Sequence, residues 1–352
     1  MCKAIILNDT HFGYKGDSTV VTEYFIQFFE KQLFPYIEEN KIQYIFHLGD
    51  LFDRRKYINF RTLNQVRERV LNVFEQLGTE NHIICGNHDT FFRNNNSLNS
   101  LTELLSQYKN WHVYTDPTVI NFGPQNQYCA GMLPWINESN EQKAIDFLQD
   151  ASCPVLMGHL ELAGFQSLRG VFIDVGYDPK HFERFEYVLT GHYHVSSKRD
   201  NIHYLGTQYQ MAYSDVKETK GFHVFDFEKR ELHFIENPAK LFYTFDYNED
   251  EKPNIEFDRL KDCFVKVFIK KKTKPTQFEK FIDKFYEVGV AELAITEESV
   301  ADKEPLAVDV EKDTLHLLYE EVNAIEEKVD KNYLHDIITT TYQTALAGDI
   351  DD

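Results

Sequence analysis

Cysteine is scarce and scattered: five residues, at positions 2, 85, 129, 153 and 263, with no CxxC pair among them. That excludes a disulfide framework and a cysteine-held zinc, and reads as the reduced thiols of a cytoplasmic chain. No apolar run approaches the roughly 20 residues that a membrane span needs. The opening run Met1–Leu7 meets polar Asn8 and Asp9 at once, with no signal-peptide h-region or cleavage site. The phosphate-binding pattern Gly-x-x-x-x-Gly-Lys-Ser/Thr is missing, so any ATP dependence has to come from a partner. No serine or cysteine has a plausible base beside it, which argues against covalent nucleophile chemistry. Internal repeats and low-complexity segments are also absent.

What is present is core-forming material. Of 352 residues, 42% are hydrophobic, with 29 Phe and 20 Tyr, which is enough for one large domain and one small one. The net charge of −20 is unevenly spread. From Glu287 onward there are 18 acidic and 4 basic residues, whereas Arg259–Lys284 carries nine Lys/Arg against three Asp/Glu. A basic segment beside an acidic tail suits binding a polyanion through one and a protein through the other.

The pattern of the first 235 residues predicts an α/β chain. Ala4–Leu7, Tyr44–Leu48, His82–Cys85, Pro154–Met157 and Tyr187–Leu189 read as buried strands, alternating with helical periodicity near 19–39, 60–77, 98–108 and 140–150. Helices should cover the faces of a βαβ-rich layered sheet structure. His203–Leu205, Phe222–Phe227 and Glu231–Ile235 read as an antiparallel addition to it. The expected organisation is a domain over 1–240 and a polar linker at 248–253. A small α+β module over 255–310 follows (strand Cys263–Ile269, helix Thr276–Glu287, strand Glu292–Thr296), then a helix pair over 314–347, apolar on one face.

Five short polar clusters follow buried runs: Asp9-Thr10-His11, Gly49–Asp53, Gly86–Asp89, Gly158-His159 and Gly191–His194. In open α/β sheets the carboxyl ends of strands share one crevice, where ligands bind. Residues i and i+2 leaving a strand point the same way, so Asp9 with His11, and His192 with His194, can reach one ion, while Thr10 and Tyr193 face away. A two-metal site needs about four protein ligands per ion and one bridging group. Asp9, His11, Asp50, Asn87, His159, His192 and His194 supply such a set if Asp50 bridges. Imidazole, carboxylate and amide without thiolate favour two Mn²⁺ ions, with Mg²⁺ or another divalent ion as substitutes.

These motifs resemble the calcineurin-like metallophosphoesterase superfamily, whose pattern is DxH, GDxxD, GNH, GH and GHxH, over roughly residues 5–210. Within it, Gly49–Arg55 and the closing Gly191-His192-Tyr193-His194 are similar to the nuclease subunits of SbcCD-type ATPase–nuclease complexes, and His159–Phe165 with Gly206-Thr207 to phage recombination-endonuclease subunits. The resemblance implies a two-sheet sandwich with flanking helices, a capping domain, and a tail helix pair that docks on a coiled-coil SMC-like ATPase. By motif, one metal falls to Asp9, His11, Asp50 and His194, and the second to Asp50, Asn87, His159 and His192. His88 corresponds to the family's catalytic histidine, and Asp53 would hydrogen-bond its imidazole and fix the tautomer.

The implied activity is a Mn²⁺-dependent DNA nuclease, exonuclease on duplex ends and endonuclease on single strands, in recombination or repair. It would work as a homodimer within a heterotetramer. Lys266, Lys270, Lys271, Lys272 and Lys274, interleaved with Phe264 and Phe268, would neutralise DNA phosphates without reading sequence; the alternative is a solvated strand end over core phenylalanines. Two further readings stand beside the nuclease: a phosphoprotein phosphatase or other metallophosphodiesterase, and a DNA-end-tethering scaffold. Against the phosphatase, Gly158-His159-Leu160 stands where those enzymes usually carry HGG.

Overall fold

The computed structural model describes residues 2–251 and 254–297. In chain order the strands are β1 (Lys3–Leu7), β2 (Tyr44–His47), β3 (Glu80–Ile84), β4 (Trp111–Tyr114), β5 (Thr118–Phe122) and β6 (Tyr128–Leu133). Next come β7 (Val155–His159), β8 (Phe165–Leu168), β9 (Val171–Ile173), β10 (Tyr187–Gly191), β11 (Ser197–Arg199) and β12 (Ile202–Tyr204). The last five are β13 (Gly221–Asp226), β14 (Glu231–Glu236), β15 (Phe242–Asn248), β16 (Phe264–Lys271) and β17 (Glu292–Glu297).

Two six-stranded mixed sheets form the main body, in the orders β14-β13-β1-β2-β3-β4 and β11-β12-β10-β7-β6-β5. Strands β1 to β4 run parallel, as do β6, β7, β10 and β12; the inner strands β1, β2, β3, β7 and β10 read as apolar runs rather than alternating ones because both of their faces are covered. The alternation of the pleat divides the side chains between layers. Ile5, Leu7, Ile45 and Ile83 face the helices over sheet one, together with Phe25, Phe29 and Phe74. Ala4, Ile6, Phe46 and Ile84 face the other way and meet Met132, Val155, Met157 and Leu189 of sheet two. Leu156 and Val188 bury a third layer with Leu148 and Phe182 on the far side. The result is helix on sheet on sheet on helix, a mixed α/β sandwich.

The long helical segments expected near 19–39 and 60–77 are continuous but not uniform. Each carries a π-helical turn, Phe29–Leu33 in the first and Arg67–Leu71 in the second. The antiparallel addition is confined to β13 and β14 on β1, with β11 on β12; β12 itself pairs parallel with β10.

The small module is a three-stranded parallel sheet, β15-β16-β17, with helix Pro275–Val288 as the crossover. Its first strand, Phe242–Asn248, precedes the polar stretch read as a linker. Val265, Val267, Phe278, Phe281 and Phe285 form its core. It is fastened to the main body by Lys15, whose ammonium lies 4.2 Å from the Phe264 ring centre and 3.4 Å from Glu292. The helix pair expected over 314–347 lies outside the described residues. Among the described residues no helix is long and apolar enough to cross a membrane.

Phe46 is fully buried between the sheets, against Phe122, Phe227 and the His82 ring. Phe46→Ala should therefore cost about 3–5 kcal/mol, read as a lowered midpoint in urea unfolding; an unchanged midpoint would mean the two sheets are not joined through this residue.

Candidate metal centre

The five polar clusters leave β1, β2, β3, β7 and β10 at their carboxyl ends, and the two sheets bring those ends to one crevice. The backbone does this by turning sharply. Asp9, His11, Asp50 and His192 all adopt left-handed conformations, at φ of 48°, 44°, 58° and 87°. Non-glycine residues rarely sit there, and such strain gathers where a side chain has to be aimed. Asp9 and His11 thus share a direction because of this turn rather than because the strand continues. Gly86 is required by closeness alone: a Cβ there would lie 2.1 Å from Asp50 Oδ1.

All seven expected ligand residues meet. His11 Nε2 lies 3.1 Å from His194 Nε2, 3.8 Å from Asp9 Oδ1 and 3.6 Å from Asp50 Oδ2. His194 Nε2 is 3.9 Å from Asp9 Oδ1. On the other side, His159 Nε2 is 3.5 Å from Asp50 Oδ2 and 2.8 Å from Asn87 Oδ1, which is also 3.0 Å from His192 Nδ1. Asp50 therefore lies between the two groups. Asp9, His11, Asp50 and His159 form a buried floor, while Asn87, His88, His192 and His194 are half-buried at the mouth. Thr10 and Tyr193 do face away, the first bonded to His47 Nε2 and the second stacked on Tyr204.

The donor set fits divalent cations on its own chemistry. His159 Nδ1 donates to the Leu48 carbonyl at 2.8 Å, which turns its Nε2 into the crevice. Nε2 faces Asn87 Oδ1 and Asp50 Oδ2, so imidazole, amide and carboxylate groups converge on one point, a set that a divalent cation accepts. Burial lowers the His11 pKa, but the bond to Asp53 and the charges of Asp50 and Asp9 outweigh it, and the imidazole is pushed up to about 9. Burial and the His11 charge hold His194 well below its ordinary value, so it accepts from His11. Burial and the neighbouring His159 bring His192 down to about 3, keeping its lone pair free. Burial and Asp50 raise the Asp9 pKa against the pull of His159. Asp50 goes the other way: burial would raise it, but His159, His11 and His88 outweigh burial and keep it ionised.

His88 adjoins this group. Its main-chain N–H donates to Asp50 Oδ1 at 2.8 Å, and its ring lies edge-on to His11 at 4.9 Å between centres. The bond expected from Asp53 to His88 is made by the main-chain carbonyl, which accepts from His88 Nδ1. The Asp53 carboxylate turns instead to His11 Nδ1, at 3.5 Å.

The five lysines lie in the small module, apart from the crevice, and carboxylates of that module partner three of them. Lys270 lies 3.9 Å from Asp246, Lys271 2.6 Å from Asp250, and Lys272 3.9 Å from Glu297. Lys266 lies over the Phe268 ring, and the main-chain N–H of Lys274 bonds Glu249. Phe264 is a core residue, stacked on Phe242, and Phe268 is half-buried.

Sequence reading missed several supports. Asp89 is buried and accepts the main-chain N–H groups of Asp50, Leu51 and Gly86, tying the second cluster to the third. It sits inside the Gly86–Asp89 motif, so a signal was available. Asn8 Nδ2 donates to Asp9 Oδ2 and to the Gly206 carbonyl, and the Trp135 ring lies 5.1 Å from that of His192; nothing local in the sequence marks either.

The calcineurin-like phosphoesterase family model matches residues 2–196, more than half of the chain. The chain belongs to the calcineurin-like phosphoesterase family. It is a phosphoester-hydrolysing enzyme of that family, and the acceptor-lined crevice at the strand ends suits divalent metal ions. Among curated proteins, this phosphoesterase is 29% identical over 336 residues to exonuclease subunit 1 of Enterobacteria phage T4, covering 94% of this chain and 95% of that protein. It is 26% identical over 225 residues to a subunit of the nuclease SbcCD from Staphylococcus epidermidis, covering 57% of this chain and 60% of that one.

His47, beneath the Asp9–His11 turn, gives a test of the burial. Burial lowers its pKa from 6.5 to about 3. Because the unfolded chain takes up the proton first, stability is intact above pH 6.5 and falls with acid at up to about 1.4 kcal/mol per pH unit. His47→Gln in chelator should flatten the loss of urea midpoint between about pH 6.5 and 4; an acid limb as steep as the parent's would show that His47 is not the group responsible.

Proposed function

We propose that this phosphoesterase is the nuclease subunit of a DNA-processing complex. It would cut with two Mn²⁺ ions, as exonuclease on duplex ends and endonuclease on single strands, and act with a coiled-coil SMC-like ATPase in recombination or repair. The observation that carries the reading is the convergence of imidazole, carboxylate and amide groups on one crevice, in a chain similar over 94% of its length to a phage exonuclease subunit. Asp9, His11, Asp50 and His194 would hold one ion, and Asp50, Asn87, His159 and His192 the other. When bound, the ions supply a bridging water of lowered pKa and neutralise the phosphate oxygens. Imidazole and carboxylate without thiolate support Mn²⁺, with Mg²⁺ as the alternative.

The protein's own part is proton delivery at His88. With Nδ1–H given to the Asp53 carbonyl, Nε2 is the atom left to carry a proton to the leaving 3′-oxygen. The Asp53 carboxylate orients His11 from behind. DNA contact falls to the small module through Lys266, Lys270, Lys271, Lys272 and Lys274. The partnered state of three of them means that phosphates would have to displace Asp246, Asp250 and Glu297. A homodimer within a heterotetramer belongs to the same reading. Residues 314–347 are proposed to dock the ATPase.

His88→Ala should keep Mn²⁺ and DNA binding and lose cleavage of end-labelled DNA by about 10²–10⁴-fold, with a phosphopeptide assayed beside it; full nuclease activity would remove His88 from the chemistry, and phosphopeptide turnover alone would favour a phosphatase. Deleting residues 314–352 should abolish co-purification with the ATPase while leaving basal cleavage; retained association would assign docking elsewhere.

A further inference from the structure

Lys220 is an anomaly of burial. Its side chain is only 4% exposed, and lysine is almost never found so deep unless it is partnered. Its three donors meet three acceptors: the His194 main-chain carbonyl at 2.9 Å, Asp215 Oδ1 at 3.1 Å and Glu218 Oε2 at 2.8 Å. A buried ion cluster is poor value as stabilisation, because desolvation consumes most of the attraction, so its use has to be sought in geometry.

We propose that Lys220 is a positioning residue for His194, and that through Asp215 and Gln210 it ties this imidazole to the first strand of the small module. The His194 carbonyl is gripped from two sides, by Lys220 and by the Thr207 N–H at 3.1 Å. Fixing that peptide plane fixes the backbone from which the imidazole projects into the crevice. The network continues away from the site. Asp215 Oδ2 accepts the N–H groups of Met211 and Ala212 at 2.8 and 3.0 Å, and the Gln210 side-chain amide donates to the Asp215 carbonyl. Gln210 Oε1 in turn accepts both Leu241 N and Phe242 N at 3.0 Å, where β15 begins. Tyr213, in the same loop, packs edge-on against Phe242. A shift of β15 is therefore carried by hydrogen bonds to the carbonyl of a residue lining the crevice. The inference rests on reading His194 as a metal ligand, and one arm of its test does not.

The test compares the full-length chain with Lys220→Gln, with the double variant Lys220→Met/Asp215→Asn (which leaves no orphaned carboxylate at 215), and with the exposed control Lys217→Met. Three quantities are read: hydrogen exchange of the Thr207 amide in chelator, Mn²⁺ binding by calorimetry, and kcat and KM on bis(p-nitrophenyl) phosphate. The expected result for both Lys220 variants is faster Thr207 exchange at a thermal midpoint near the parent's. One Mn²⁺ site should weaken by about 10–100-fold, the range for groups that orient metal ligands, and kcat should fall with KM held. The control should match the parent in all three. Variants that exchange, bind and turn over like the parent would overturn the proposal, as would losses that only follow a lowered thermal midpoint. A parent that binds no Mn²⁺ would sink the metal reading of His194, while Thr207 exchange would still decide the role of Lys220.

Discussion

The crevice depends on one electrostatic constraint: buried carboxylates, imidazoles and an amide must be held face to face around one small space. Asn87 Oδ1 stands 2.8 Å from His159 Nε2, and Asp50 Oδ2 lies 3.5 Å from the same nitrogen. Such an arrangement is costly unless the surroundings enforce it. Here the enforcement is visible. The Leu48 carbonyl fixes the orientation of the His159 ring, Asp89 gathers three amides so that the loops after β2 and β3 cannot part, and Asn8 secures Asp9. The left-handed turns at Asp9, His11 and Asp50 belong to the same account. Their strain is sustained by two tightly packed sheets whose cores leave the turns no room to relax.

Much of this was legible in the sequence, for a definite reason. Parallel strands buried on both faces give short apolar runs, and in such sheets the chemistry collects where each run stops. The ends of β1, β2, β3, β7 and β10 could therefore be located from where each apolar run gives way to a polar cluster, and those clusters supplied a candidate ligand set. Other features depend on curvature or distance and left no local trace. Which imidazole the Asp53 carboxylate faces is decided by the turn through Asp50, and the outcome was the reverse of the expectation: carbonyl to His88, carboxylate to His11. Strand β15 escaped because Phe242–Asn248 mixes aromatic, hydroxyl and acidic residues and sits among turn-like asparagines. Lysine clustering at 266–274 was plain in the sequence, whereas its partners come from Asp246, Asp250 and Glu297, brought alongside only by parallel pairing of the three strands.

The small module and the crevice are linked by more than proximity in the chain. The module's strand β15 begins on Gln210, its strand β16 meets Lys15 through Phe264, and β17 meets the same lysine through Glu292. Lys15 itself follows the Asp9–His11 turn by four residues. Both contact points thus lie close in sequence or in hydrogen bonding to residues that line the crevice, one behind His11 and one behind His194.

The proposed ligand set is divided between the sheets: Asp9, His11, Asp50 and Asn87 come from the first, His159, His192 and His194 from the second. Any ion seated among them is a rivet through both layers, since it cannot stay if either sheet peels away. Folding and loading then become one equilibrium, and the melting of this protein turns into a gauge of the free divalent ion around it.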